Sequence, residues 1–172
     1  VDLEDYTFAS VRRWQHRARR AITWEAEGIE TSVAIASSNA HAFIINGKVD
    51  GNAVYDAGTQ IMFSLVGALL HEAPRSAMVV GLGTGESAGW LAEVPGMERV
   101  DVAELEPALD RMAELCAPVN FDVLNHPKVH IVYNDAREVL LTTPRAYDLI
   151  VSEPSNPYRA GIAALYTREF YE

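Results

Sequence analysis

The sequence predicts an α/β fold built on a parallel sheet, and three observations lead to this prediction. A β-branched run enters a turn that contains Gly81, Gly83 and Gly85, and a helical pattern leaves it. A second apolar strand ends in Glu104, about twenty residues downstream, which is the spacing of a nucleoside-binding β-α-β unit. Strands then alternate with helices, so right-handed crossovers should place four parallel strands in the order 3-2-1-4.

Two short segments precede this alternation. Residues 1–23 form a basic N-terminal segment in which arginines surround Trp14. It is expected to be a solvated helix face or linker, or else a segment that docks on a membrane surface or a partner. Apolar residues alternate from Ile29 onward, and Asn46-Gly47 is a two-residue hairpin signal. Residues 24–52 are therefore predicted to form a small antiparallel β-hairpin unit.

The remaining residues, 53–172, are predicted to be the nucleoside-binding domain. Asp56 is placed to cap a helix that Pro74 ends. Alternating patterns then indicate strands and helices in turn. The predicted strands cover 77–80, 99–104, 129–133 and 147–152, and the predicted helices cover 86–93, 107–116 and 136–141.

Composition excludes several classes of protein. A formal net charge of −10 argues against binding to duplex nucleic acid, because a phosphate backbone requires a basic face. Cys116 is the single cysteine, which rules out an internal disulfide and a cysteine-built zinc site. The histidines lack the spacing of paired helical ligands, so no metal is expected and a zinc hydrolase is excluded.

All four predicted strands end on residues suited to ligand binding. The glycine turn follows the first strand, Glu104 ends the second, and Asn134-Asp135-Ala136 follows the third. Glu104 is suited to accept hydrogen bonds from ribose hydroxyls. Asp135 is suited to accept one from an adenine amino group, to cap the next helix, or to do both. These ends should meet at one edge of the sheet.

The loop after the fourth strand contains the candidate catalytic residue. Prolines on either side of Asn156 should hold the loop in place, and Tyr158 would supply an aromatic wall beside a sulfonium group. An amine nucleophile needs a carboxylate that orients it and takes its proton. Glu153 is the candidate for that role. The alternative is an ordinary loop acid that pairs with Arg159 or Arg168.

Several of these segments together resemble the spermidine synthase (polyamine aminopropyltransferase) family. The resemblance covers about residues 24–172, and the order and spacing of the segments are more specific than any one of them. The segments are 43–52, the glycine turn, 102–107, 134–136, 147–150 and 165–171.

The resemblance implies a Rossmann-like S-adenosylmethionine-dependent methyltransferase fold behind a small N-terminal β domain. It also implies transfer of an aminopropyl group from decarboxylated S-adenosylmethionine to putrescine, with release of methylthioadenosine and without a metal. Glu153 would stand where the family has its catalytic aspartate, and Asn156 and Tyr158 would bind the substrate. The implied nucleoside-binding residues are Asp50, Gly81, Gly83, Thr84, Gly85, Glu104, Asp135 and Ala136.

The chain departs from the family at three of these positions. Thr84 stands where the family's glycine turn has an aspartate, Asn156 replaces a second aspartate of the final loop, and Asp50 replaces a glutamine. A diamine is held by carboxylates at both ends, so these changes bear on whether putrescine is the amine. The family's domain also continues past the last predicted strand, so the sheet is expected to be truncated, with its C-terminal strands missing.

The resemblance also suggests partners and a location. The expected partner is a small polyamine or another amine, with a homodimer as the expected assembly. Related domains are attached to bacterial membrane segments, which suits the basic N-terminal segment. The expected location is the cytoplasm, or the cytoplasmic side of a membrane-attached protein.

Two other functions fit the same residues. Ser155-Asn156-Pro157-Tyr158 is similar to the loop by which some N-methyltransferases hold a planar nitrogen, which would make intact S-adenosylmethionine the cofactor. A non-catalytic module that binds a nucleoside or a polyamine is the other alternative. Preference for intact or decarboxylated S-adenosylmethionine separates the first from aminopropyl transfer, and absence of product with any amine identifies the second.

Overall fold

The computed structural model of the chain describes residues 7–37, 41–155, 157–158 and 161–172. Within them lie two four-stranded sheets, of which the first is antiparallel and the second is parallel. The predicted α/β class, with a small β unit before a parallel sheet, is therefore confirmed.

The basic N-terminal segment contains a helix, α1 (Phe8–Ala21). It begins after Thr7, whose hydroxyl oxygen accepts a hydrogen bond from the Ser10 N–H at 3.1 Å. None of its residues is buried, so its arginines are in contact with solvent. No helix in the described part of the chain combines the length and the apolar character that crossing a membrane requires.

The antiparallel sheet has its strands in sequence order, and one of them was not predicted. Strand β1 (Ile22–Glu27) pairs with β2 (Ser32–Ala36), followed by β3 (Ala42–Ile45) and β4 (Lys48–Asn52). The turn between β3 and β4 is the predicted hairpin, with positive φ angles of 49° at Asn46 and 80° at Gly47.

The parallel sheet confirms the predicted strand order. Its strands are β5 (Ser76–Val80), β6 (Arg99–Glu104), β7 (Val129–Tyr133) and β8 (Leu149–Ser152), in the order β7-β6-β5-β8. This is 3-2-1-4 in order of appearance. The helices are α2 (Ala57–Leu70), α3 (Glu86–Ala92), α4 (Asp110–Leu115), α5 (Ala136–Thr142) and α6 (Arg168–Tyr171).

The predicted helix 107–116 is divided in the structure. Its first turn, Pro107–Leu109, is a 3-10 helix, and α4 follows it. Glu106 caps this turn, since its carboxylate accepts a hydrogen bond from the Ala108 N–H at 3.0 Å. A second 3-10 helix, Ile162–Tyr166, precedes α6.

The register of the parallel sheet determines which residues leave it at the same edge. Val80 at the end of β5 pairs with Ala103 on β6 and with Ser152 on β8. Glu104 pairs with Tyr133 at the end of β7. The glycine turn, Glu104, Asp135 and Glu153 therefore all lie at or just after the carboxyl ends of adjacent strands in the sheet.

The two sheets meet around Glu106 and a small apolar cluster. Glu106 is buried, and its carboxylate accepts a second hydrogen bond from the Glu30 N–H, in the turn between β1 and β2, at 3.1 Å. Ile35 of β2 packs with Met112 and Cys116 in one core cluster. These contacts place the antiparallel sheet beside the carboxyl edge of the parallel one.

Candidate functional site

The glycine turn has the backbone conformation that its sequence predicts. Gly81, Gly83 and Gly85 have φ angles of 93°, 54° and 79°, a region that disfavours residues with a Cβ atom. At Gly85 space is also lacking, because a Cβ atom would lie 2.5 Å from Val123 Cγ1 and 2.9 Å from Asn120 Nδ2. The side chains of Val123 and Asn120 therefore fill the space next to Gly85, on one side of the turn.

Glu104 lies directly against this turn. Its two carboxylate oxygens accept hydrogen bonds from the Leu82 N–H at 2.7 Å and the Glu106 N–H at 2.8 Å. Burial raises the pKa of Glu104, while these backbone donors favour the ionised form. A carboxylate oxygen accepts more than one hydrogen bond. The predicted ribose-binding residue is therefore fixed in position and keeps capacity for a hydroxyl donor.

Asp135 is the N-cap of α5, as one of its predicted roles requires. Its carboxylate accepts hydrogen bonds from the Arg137 backbone N–H at 2.8 Å and from the Arg137 Nε at 3.0 Å. The Arg137 guanidinium lowers the pKa of Asp135. Ala136 is buried behind it. The capping role is confirmed, and contact with an adenine amino group stays a prediction.

Thr84 is enclosed by other side chains. It is fully buried, and its hydroxyl lies 2.5 Å from Oε1 of Gln60 on α2. The Gln60 carbonyl oxygen also accepts a hydrogen bond from the Ser87 hydroxyl at 3.1 Å. Gln60 therefore ties α2 to the turn. This residue was not identified from the sequence, although a polar side chain within an otherwise apolar helical pattern was the available signal.

The loop after β8 is anchored at two places. The Tyr166 hydroxyl lies 2.7 Å from the Pro154 carbonyl oxygen and 2.8 Å from that of Ser155. The Ser155 hydroxyl donates to Asp50 Oδ1 at 3.0 Å, which joins the loop to β4. Asp50 is thereby placed beside the loop that contains Glu153. Tyr166 was not identified from the sequence.

Glu153 itself is exposed, and desolvation together with the Asp56 carboxylate raises its pKa. Arg168, one of its alternative partners, pairs instead with Glu172. Tyr158 is 75% exposed. Asn156 and Arg159, the other predicted substrate contact and the other alternative partner, lie outside the described residues.

Glu86 is a further acid at this edge, and it was not identified from the sequence. It is the first residue of α3, directly after the glycine turn, and it is 1% exposed. Burial, together with the Asp56 carboxylate, raises the pKa of Glu86 to about 7. Among the described residues, no group of three or more His, Cys, Asp and Glu side chains is arranged to hold a metal ion.

Comparisons with known proteins show that the chain is similar in sequence to polyamine aminopropyltransferases. No family model matches it. Over 112 residues it is 33% identical to the polyamine aminopropyltransferase of Mycobacterium tuberculosis (strain H37Rv), covering 63% of this chain and 21% of that protein. Over 105 residues it is 36% identical to the polyamine aminopropyltransferase of Nitrosomonas europaea, covering 60% of this chain and 32% of that protein. The match thus spans a third or less of either relative.

Solved structures show the same fold. A spermidine synthase in complex with the transition-state analogue AdoDATO superposes with a TM-score of 0.78 at 16% identity, covering 88% of this chain and 52% of that one. The spermidine synthase of Thermotoga maritima gives a TM-score of 0.75 at 17% identity, covering 88% and 51%. The predicted resemblance is confirmed: the chain is a relative of the polyamine aminopropyltransferases and has the fold of the spermidine synthases.

Proposed function

We propose that this chain contributes to an aminopropyltransferase that uses decarboxylated S-adenosylmethionine and an amine. It would supply both the residues that bind the aminopropyl donor and the general base. The observation that supports this most directly is that Glu104 ends β6 and Glu153 follows β8, the two strands on either side of β5, so that both lie at the carboxyl edge of the parallel sheet. The relatives named polyamine aminopropyltransferase favour the same reaction.

Nucleoside binding is assigned to the turn and the first three strand ends. Glu104, held by the Leu82 and Glu106 N–H groups, would accept hydrogen bonds from the ribose hydroxyls. Gly81 and Gly83 let the backbone approach the ligand closely, because neither presents a Cβ atom. Asp135 and Ala136 would line the adenine side.

Glu153 is assigned the proton transfer. The amine nitrogen uses its lone pair to form a bond to the aminopropyl carbon, the carbon–sulfur bond breaks, and its electron pair stays on sulfur as a neutral thioether. The proton that the nitrogen loses passes to the Glu153 carboxylate. Desolvation and Asp56 raise the pKa of Glu153, which makes it a stronger base than an ordinary glutamate.

Mass spectrometry of the products tests this assignment. The chain is incubated with decarboxylated S-adenosylmethionine and a panel of amines that includes putrescine, and we expect an aminopropylated amine together with methylthioadenosine. Glu153→Gln should reduce the rate at least about a hundredfold, the usual scale for loss of an acid–base group. Glu169→Gln, an exposed glutamate on α6, should leave the rate unchanged.

Other results would support the alternatives. Methyl transfer from intact S-adenosylmethionine would indicate a methyltransferase. Binding of methylthioadenosine without any product would indicate a binding module. An unchanged rate for Glu153→Gln would remove Glu153 from the mechanism. Putrescine as the acceptor, a homodimer, an attached membrane segment and a cytoplasmic location stay predictions from the resemblance.

A further inference from the structure

Glu86 is a buried acid at the start of α3. The residue is 1% exposed, and among the described residues neither of its carboxylate oxygens has a hydrogen-bond partner. A buried ionisable group without a partner is costly, and such groups concentrate at sites where a ligand completes them. Glu86 therefore needs a hydrogen-bond donor from outside the described residues.

The position of Glu86 connects it to the proposed donor site. It directly follows Gly85, the last glycine of the turn. It also lies within electrostatic reach of Asp56, which precedes α2 and which acts on Glu153 as well. The Asp56 side chain makes no capping hydrogen bond to α2. Glu86 and Asp56 thus add negative charge on the glycine-turn side of Glu153.

A cation that carries N–H groups is the donor that best matches this carboxylate in both charge and hydrogen bonding. A negative potential favours a cation, but a sulfonium offers no hydrogen to the unpartnered oxygens, whereas a primary ammonium offers three. Of the two substrates, the amine that reacts must lose its proton at the exposed Glu153. The terminal ammonium of the donor stays charged throughout the reaction, and a permanent counter-charge suits it.

We propose that Glu86 binds the terminal ammonium of decarboxylated S-adenosylmethionine, with Asp56 reinforcing the negative potential. This rests on the proposed function for the identity of the ligand. Thr84 cannot serve instead, because it carries no charge and its hydroxyl is held by Gln60. Intact S-adenosylmethionine would be disfavoured, since its additional carboxylate would meet that negative potential. Glu86 thus becomes a residue that selects the donor.

Calorimetric titration without any amine acceptor tests the proposal. The probes are decarboxylated S-adenosylmethionine and the S-propyl sulfonium analogue of methylthioadenosine, which keeps the sulfonium and lacks the amine. Glu86→Gln should weaken binding of the first at least about tenfold and of the second less than about twofold. Glu86→Asp should restore part of the loss. Glu93→Gln, at the other end of α3 and bonded to His126, should change neither affinity.

Proton release upon binding gives an independent readout. The free Glu86 carboxyl is partly protonated near pH 7, and the charged group that acts on it is Asp56, which also acts on Glu153. Glu86 in turn raises the pKa of the buried Cys116 thiol, which stays neutral at this pH. Binding of the ammonium should release a fraction of a proton. Titrations in buffers of different ionisation enthalpy should detect this release in the original chain, and Glu86→Gln should abolish most of it.

The outcomes separate this proposal from the proposed function. Equal weakening of both probes, or of neither, would overturn the role of Glu86 even if aminopropyl transfer occurs. An increase only in the KM of the amine acceptor would also overturn it. Glu86-dependent binding without any product would support the ammonium site and contradict the proposed transferase function. A chain that does not bind decarboxylated S-adenosylmethionine would overturn both.

Discussion

At the scale of single residues, the buried acids determine how the chain responds to pH. The pKa of Glu86 is raised from its ordinary value of 4.5 to about 7, so between these values the folded chain binds more protons than the unfolded one. The free energy of unfolding should therefore fall as pH rises from about 4.5 to about 7, by up to about 3 kcal/mol from this residue.

Comparison with Glu86→Gln isolates this contribution. The raised pKa of Glu104 also lowers the free energy of unfolding as pH rises. The lowered pKa values of Asp101 and Asp135 instead increase it as pH rises. Urea unfolding at several pH values should show the Gln variant gaining stability relative to the original chain as pH rises. A constant difference between pH 4.5 and pH 8 would contradict an ionisable, buried Glu86.

Such a gain in stability together with weaker ligand binding would be informative. A residue that destabilises the chain when it is charged, yet improves binding, is placed for function and not for folding. Contacts between side chains that are distant in the sequence could not be predicted from the sequence. The local pattern marks Gln60 as a polar residue in an apolar helix, but its contact with Thr84, like that of Tyr166 with the loop after β8, depends on how the elements pack together.

At the scale of elements, the glycine turn depends on the absence of a side chain at Gly85. Gly85→Ala would place a Cβ atom within 2.5 Å of Val123, at a φ angle of 79°. We expect a loss of about 2–4 kcal/mol of stability from backbone strain and displaced packing. Urea unfolding followed by circular dichroism measures it.

Gly58→Ala is the matched control for this substitution. Gly58 lies on α2, and a Cβ atom there would meet no heavy atom within 4 Å. Because alanine favours a helix more than glycine does, this variant should be unchanged or more stable by up to about 1 kcal/mol. Equal losses in both variants would contradict the account of the turn.

The elements that the sequence predicted well are those with a clear hydrophobic period. Strands β6 (Arg99–Glu104) and β7 (Val129–Tyr133) have the predicted bounds, because each is an apolar run between turn residues. Strand β1 was missed, since its polar residues Glu25 and Glu27 leave only one half-buried face. The helix predicted from Pro107 begins as a 3-10 turn, which Glu106 caps.

At the scale of the whole molecule, the candidate site depends on how two sheets meet. The strand order and the convergence of four carboxyl ends followed from topology rules, which is why sequence alone predicted them. The attachment of the antiparallel sheet through Glu106 and Glu30, and the link from Asp50 to Ser155, are long-range contacts that these rules do not specify. Glu86 was missed for the same reason. Asp56 was predicted only as a helix cap, and although it stands at that position, its side chain makes no capping hydrogen bond.

Binding of methylthioadenosine, measured by calorimetry, tests most directly whether the carboxyl edge is one nucleoside site. The original chain should bind it, and Glu104→Gln should weaken binding at least about tenfold through loss of a charged acceptor. Circular dichroism checks that the variant is folded. Glu98→Gln, an exposed acid paired with Arg75 before β6 begins, should bind as the original chain does. Equal affinity of all three folded proteins, or no binding by the original chain, would contradict the account.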